Sequence, residues 1–378
     1  MNAPYSRRPW LRWAAPGAAL AVIIAGSQAA AHWPADAATN LPPRTAAQLL
    51  TDVQRAQPTA LSGTVTAKMS LGLPDLPTSG GNPTDPLTLL SGTHQAKVWY
   101  DGDRQARVAV LGDSAETDIV SNDKGLWVWQ SADRSVLHVA EPSGAKGFNA
   151  YGDHARSDDR ARLPEQLSTP EGVAAWALKM LDPTTSVTTT SNDRVAGRAA
   201  YELVLAPKTS NTKIGSIRIA IDADHHIPLR AQVFARGANK PAVNVGFSSI
   251  SFTKPSASRF DFTPPPGAKV TTPKKALHAA PKAVRHDRLG GTANTELPRV
   301  VGKAWSSVLV GKVPTKPAAN TKDRSLQDAL KLLPEVSGSW GHGRLLDTAL
   351  FSAVITDDGH FAVGAVQPAT LYAALGRN

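Results

Sequence analysis

Residues able to do chemistry are scarce in this chain, and their spacings rule out more than they support. Gly338-Ser339-Trp340-Gly341 approaches the strand–turn–helix elbow that exposes a nucleophilic serine. That motif requires Gly at 337, and the chain has Ser337 there. Gly341-His342-Gly343 begins a dinucleotide fingerprint, but Leu346 stands where its third glycine is needed. The ten histidines are scattered, His225 and His226 would point to opposite faces of an extended strand, and no H-E-x-x-H spacing occurs, so no metal site is expected. Arg285-His286-Asp287 lies within a basic run and reads as solvated charge. With no cysteine in the chain, disulfides, iron–sulfur clusters and thiolate catalysis are excluded. A non-enzyme without cofactors is expected.

The informative side chains are aromatic and aliphatic. Trp127 and Trp129 share one strand face at period two, and Trp99 and Tyr100 sit on opposite faces of a nearby strand. They are either core, covered by another part of the chain, or the walls of a concave apolar pocket. Val65, Ala67, Met69 and Leu71 alternate with Thr64, Thr66, Lys68 and Ser70, giving a strand with one apolar face.

The elements that must position these residues are mostly strands. Residues 195–237 carry three alternating runs: Tyr201, Leu203 and Leu205; Ile217, Ile219 and Ile221; Leu229, Ala231 and Val233. Asp222-Ala223-Asp224-His225 supplies a turn between the last two. Further strands are expected at 95–100, 104–111, 116–121, 126–130, 136–140, 187–192 and 242–253. Asp101-Gly102-Asp103 and Asn122-Asp123-Lys124-Gly125 provide hairpin turns. Thr45 caps a helix over 46–57 with Leu49, Leu50 and Val53 on one side. Ser168-Thr169-Pro170-Glu171 opens another, to about 181, with Val173 and Trp176 inward. The stretch 74–86 is proline-rich and reads as a long loop. Beyond 299, apolar runs at 300–310, 349–355 and 361–366 and helical patterns at 325–333 and 369–375 imply a small α/β extension that packs on the body.

Formal net charge is +10, concentrated in two places. Residues 269–316 carry ten Lys or Arg against two acids, and the first 31 residues add three arginines, which leaves the remaining body near neutral. That distribution argues against nucleic acid as a partner. Residues 269–298 read as a basic, proline-containing linker whose Lys274, Lys275, Lys282 and Arg285 could meet an anionic membrane surface. The arginines followed by a weakly apolar run in residues 1–38 read as an export signal, or as an N-terminal anchor. Ser6-Arg7-Arg8-Pro9-Trp10-Leu11-Arg12 leaves Sec and twin-arginine export both open.

Three motifs, in order, resemble a known family. They are Val195-x-Gly197-Arg198-x-x-Tyr201-x-Leu203-x-Leu205-x-Pro207; Ile219-x-Ile221-Asp222 with Ile227-Pro228-Leu229-Arg230; and Phe260-x-Phe262-x-Pro264-Pro265-x-Gly267. Together they resemble the LolA-like superfamily, including its RseB-like regulators, and in particular exported actinobacterial members. The resemblance spans residues 46–270. It implies an α+β fold: a strongly curved antiparallel sheet, an incomplete β-barrel, closed by short lid helices, here over residues 41–268. It also implies a non-catalytic protein that holds an acyl chain, lipid or lipoprotein, or an envelope-stress regulator acting on a membrane anti-sigma partner protein. Val65, Met69, Leu71, Val98, Trp127, Trp129, Tyr201, Leu203, Ile217 and Ile219 are the expected cavity residues. Leu49, Val53, Val173 and Trp176 are the expected lid, and a monomer is expected.

Overall fold

The computed structural model describes residues 41–57, 59–73, 83–84, 86–140, 183–272, 298–312 and 330–376. The leader, the helix expected at 169–181 with Val173 and Trp176, and Lys274, Lys275, Lys282 and Arg285 lie outside the described residues.

The described chain is mostly β. Helix α1 (Ala46–Arg55) opens with a capping box in which the Thr45 main-chain N–H donates to Gln48 Oε1 at 2.8 Å and the Gln48 N–H donates to Thr45 Oγ1 at 3.3 Å. It is followed by β1 (Leu61–Ser70) and the single turn α2 (Pro86–Leu89). Five strands then run up and down: β2 (Ser91–Tyr100), β3 (Ala106–Leu111), β4 (Glu116–Asn122), β5 (Gly125–Gln130) and β6 (Ser135–Val139). A second meander holds β7 (Thr185–Val195), β8 (Arg198–Pro207), β9 (Ile214–Asp222), β10 (Pro228–Ala235) and β11 (Pro241–Ser251), and β12 (Lys269–Thr271) ends the series.

Turn chemistry explains the hairpins. Asp101 Oδ1 accepts from the backbone N–H groups of Asp103, Arg104 and Gln105 at 2.8, 2.9 and 3.0 Å, around Gly102 at φ 88°. Gly125 takes φ 116° after Asn122, whose side chain accepts from the Lys124 N–H.

These strands form one twelve-stranded sheet in the order β12-β6-β5-β4-β3-β2-β1-β11-β10-β9-β8-β7. It is antiparallel except where β12 lies parallel to β6. The sheet is open, with β12 and β7 at its edges, and so curved that β7 approaches β11 again four places along. The joint between the two meanders is the antiparallel pairing of β1 with β11. The first three residues of the expected linker are therefore strand.

A second, six-stranded sheet follows, built from β13 (Arg299–Val301), β14 (Val308–Lys312), β15 (Glu335–Gly338), β16 (Gly341–Asp347), β17 (Ser352–Thr356) and β18 (His360–Gly364). Its order is β13-β14-β18-β17-β16-β15, and α3 (Pro368–Leu375) buries Leu371, Ala374 and Leu375 against Val308, Val310, Val354 and Ala362. The apolar run at 300–310 is broken by Gly302 at φ 89° and a 3₁₀ turn at Ala304–Ser306. The elbow-like Gly338-Ser339-Trp340-Gly341 is a hairpin turn, with Gly338 paired to Gly341.

Two buried features anchor the large sheet. Asp222, fully buried, closes the β9–β10 turn by accepting from the N–H groups of Asp224 and His225, and it pairs with Arg198 of β8. Burial alone would raise its carboxyl. The Arg198 guanidinium and the two turn N–H groups outweigh burial and hold it below its ordinary value. Phe260, also fully buried, belongs to a strap over residues 257–268 that crosses the sheet from β11 toward β12. The Asn122 side chain donates to its carbonyl at 2.8 Å, and Arg107 donates to the Arg259 carbonyl at 3.1 Å.

Phe260→Ala is expected to cost about 3–5 kcal/mol, measured by urea unfolding. Asp222→Asn is expected to cost about 2–3 kcal/mol at pH 7, because it removes the buried charged acceptor of Arg198 and leaves that guanidinium its hydrogen bond to the exposed Asp224. A carboxyl lowered by folding stabilises fully above its ordinary value of about 3.9 and loses that contribution as pH falls toward the folded one. The stability gap between wild type and Asp222→Asn should therefore hold from pH 7 down to about 5 and narrow as the pH is taken below about 4.

Candidate functional site

Strand register places a single apolar face across six strands. On β1, Val65, Ala67 and Met69 stand opposite Phe247, Val245 and Val243 of β11, and opposite Ala96, His94 and Gly92 of β2. Val98 alternates onto the same side as Ala96. From β11 the face passes to Ala231 and Val233 of β10, then to Ile219 and Ile217 of β9, then to Leu203 and Leu205 of β8. Tyr201 completes it opposite Ile221. Alternation therefore sets Tyr201, Leu203 and Leu205 on one side with Ile217, Ile219 and Ile221, as the sequence implies. Of the expected cavity residues, Val65, Met69, Val98, Tyr201, Leu203, Ile217 and Ile219 share this face, and Leu71 follows directly after β1.

Trp127 and Trp129 do not join them. They pair with Val120 and Asp118 of β4, which stand opposite Arg107 and Ala109 of β3, which in turn face Trp99 and Lys97 of β2. Trp99 and Lys97 oppose Ser62 and Thr64, the residues that alternate with Val65. Both tryptophans thus lie on the other side of the sheet. There Trp127 stacks on His138 with centroids 3.6 Å apart and meets Phe262 of the strap at 5.4 Å. Arg107, bidentate to Asp118, and Arg259 both lie under 6 Å from the Trp99 ring. The expectation that tryptophans and β1 aliphatics line one concavity is corrected, because period two fixes a face only within a strand, and three intervening hairpins decide the rest.

Three elements cover the apolar face. Helix α1 lays Leu49, completely buried, with Leu50 and Val53 on Tyr201, Leu203, Ile219 and Ile221. Leu89 of α2 packs with Ala96 and Val110. The second sheet brings Leu350, Trp305, Ala349, Phe351 and Ala365 onto Leu71, Ile214, Ile217, Val233 and Val243.

The opposite side of β7 to β10 is charged. Arg230 reaches Asp193 at 2.6 Å and Glu202 at 3.4 Å, and Arg218 lies 3.7 Å from Glu202. Burial, with Asp193 nearby, pushes the Glu202 carboxyl up despite these arginines.

Sequence reasoning missed Lys213. It is 8% exposed, and its ammonium donates to Asp347 and to the Thr348 carbonyl of the second sheet. A lysine in the polar stretch Thr209–Lys213 before β9 gives no sign of burial.

Among the described residues, no group of three or more His, Asp or Glu side chains is arranged to hold a metal ion. His225 stacks against Phe252 at 3.6 Å, and His226 takes φ 56° in the turn. No helix among them is long and apolar enough to cross a membrane. The face offers apolar contact, with its ionic groups on the reverse.

No protein-family model and no curated protein matches the sequence. Solved structures do. The chain is similar to MucB in complex with MucA(peri), at 13% identity over 87% of this chain and 97% of that one, with a TM-score of 0.41. It is likewise similar to the Pseudomonas aeruginosa MucA/MucB complex, at 13% identity over 86% and 94% with a TM-score of 0.40. A LolA superfamily protein from Nitrosomonas europaea matches at 11% identity over 58% of this chain and 99% of that one, with a TM-score of 0.21.

Proposed function

We infer that this chain is an exported, non-catalytic binding protein that holds an acyl chain, lipid or lipoprotein against the apolar face of its open sheet. The supporting observation is the face itself: aliphatic and aromatic side chains aligned by strand pairing from Ala96 on β2 through Val65 and Met69 to Leu203 on β8, with His94 and Gly92 the exceptions on β2. An antiparallel sheet tolerates water on one side only, so this face needs a cover. Part of that cover is α1, a ten-residue helix too short to be stable without its packing on the sheet. Helix α1, and residues 169–181, are read as the lid. Each buried methylene of a ligand contributes about 0.8 kcal/mol, so a long chain needs no ionic anchor.

Mass spectrometry of an organic extract of the purified protein should find co-purified acyl lipids, and a fluorescent fatty acid should bind. Met69→Gln should weaken that binding about tenfold while leaving the β-sheet circular dichroism unchanged. A protein that carries no lipid and ignores the fluorescent probe sinks the reading.

A second reading, a regulator of the RseB type acting on a membrane anti-sigma partner, is favoured by the second sheet seated on the same face, a module that simple carriage does not require. The basic run at Lys274, Lys275, Lys282 and Arg285 would hold such a regulator at an anionic bilayer, each charge contributing about 1 kcal/mol at low salt. Flotation with vesicles of phosphatidylglycerol should then recover the protein, and Gln at all four positions should abolish recovery. Equal flotation with phosphatidylcholine alone removes this role for the basic run.

A further inference from the structure

We propose that the second sheet is a built-in stopper, so that its docking and occupation of the Leu71–Ile217 end of the apolar face by an acyl chain exclude one another. This rests on the acyl-binding reading above. The same side chains serve both: Leu71, Ile217, Val233 and Val243 carry the face and are covered by Leu350, Trp305 and Phe351 of the second sheet. A chain cannot lie on them while Leu350, 7% exposed, is seated there.

The polar ties of this contact run around the apolar patch. The Lys213 N–H and the Thr212 hydroxyl both donate to the Ala365 carbonyl, at 2.8 and 2.7 Å. The Ala349 N–H donates to the Leu71 carbonyl at 2.8 Å, and Trp305 Nε1 donates to Thr185 Oγ1 at 2.8 Å. All four replace hydrogen bonds that water supplies when the sheet leaves, so each contributes modestly. The buried Lys213 ammonium biases the contact further. Both of its hydrogen-bond acceptors belong to the second sheet, so docking must strip its water, whereas undocking returns it. The contact is therefore weaker than its apolar area suggests, as a displaceable stopper requires. By linkage, a ligand that prefers the undocked form loosens the sheet by the same factor that docking weakens the ligand.

The absence of cysteine from the chain makes the test direct. Thr212→Cys with Ala365→Cys, oxidised in the full chain, pins the second sheet in place. A fluorescent fatty acid should bind the reduced double variant at least as tightly as wild type, since Thr212→Cys removes one docking hydrogen bond, and the oxidised one at least about tenfold more weakly, with reductant restoring binding. Leu350→Asp tests the same point without a crosslink: it sets a carboxylate into the apolar contact, favours the undocked form and should tighten probe binding several-fold. Equal affinity in oxidised and reduced protein, or an unchanged affinity for Leu350→Asp, overturns the stopper and leaves the binding reading standing. Absence of binding in every form, Leu350→Asp included, overturns the binding reading itself.

Discussion

The pairing of β1 with β11 is the constraint on which the rest of this structure depends. It joins a meander from the first half of the described sheet to one from the second, and the intervening chain must be closed before it forms. Its register, Val65 to Phe247 and Met69 to Val243, decides that the aliphatic side of β2 continues into the aliphatic side of β8 through β10. A slip of one residue would turn one meander over and set its apolar face against the other's charged one. Local features oppose such a slip. The pairing shifts at Thr64/Val65, a bulge that fits only one alignment. Gly63 sits so close to β11 that a β-carbon there would lie 2.4 Å from the Ser249 carbonyl oxygen. The seam has room for glycine alone at that point.

A sheet with both faces loaded must cover both, and the two covers differ in kind. The side bearing Trp99, Trp127 and Trp129 is closed by the strap, fixed by side-chain hydrogen bonds to its carbonyls, by Arg134 to the Pro266 carbonyl at 2.5 Å, and by β12 pairing along β6. The strap's contacts combine aromatic area with main-chain bonds, and it ends as a strand of the sheet that it covers. On the side bearing Val65 and Met69, a short helix covers Tyr201 and Leu203, a single helical turn meets Ala96, and a separate sheet meets Leu71 and Ile217. None of these adds a strand to the large sheet. The two covers thus differ in attachment rather than in apolarity.

Much of this was legible in the chain because it is local. Period-two alternation located β1 and β8 to β10 to within a residue or two, Asp101-Gly102 and Asn122 to Gly125 announced their turns, and Thr45 marked the start of α1. Seven of the expected cavity residues share a face because each lies on a strand whose own alternation is clean. What stayed hidden is set by long-range register. The side taken by Trp127 depends on pairings through β4, β3 and β2, none of which is written into Leu126 to Gln130. Strand β12 is three residues long and parallel, and Lys269-Val270-Thr271 has no pattern to show it. Hairpin β15–β16 is built on Ser, Gly, Trp and His, so its Gly338 and Gly341 looked like pieces of a catalytic motif instead of the ends of a turn.

Two buried charges show how the chain separates what must hold from what can part. Asp222 finds its acceptor role satisfied within three neighbouring strands and their turn: Arg198 on β8, and the N–H groups of Asp224 and His225. No change elsewhere in the molecule deprives it of partners, so it belongs to the permanent sheet, and removing it takes from Arg198 its buried partner. Lys213, one strand away in sequence, has no such local set. Among the described residues its ammonium is satisfied by Asp347 and Thr348, which belong to the other sheet, and Asp347 is itself 45% exposed at its side chain. Separation of the sheets leaves neither group buried and unpaired, since both return to water. A charge buried against its own hairpin locks a fold. A charge buried only against a neighbouring module marks the seam along which that module can come away.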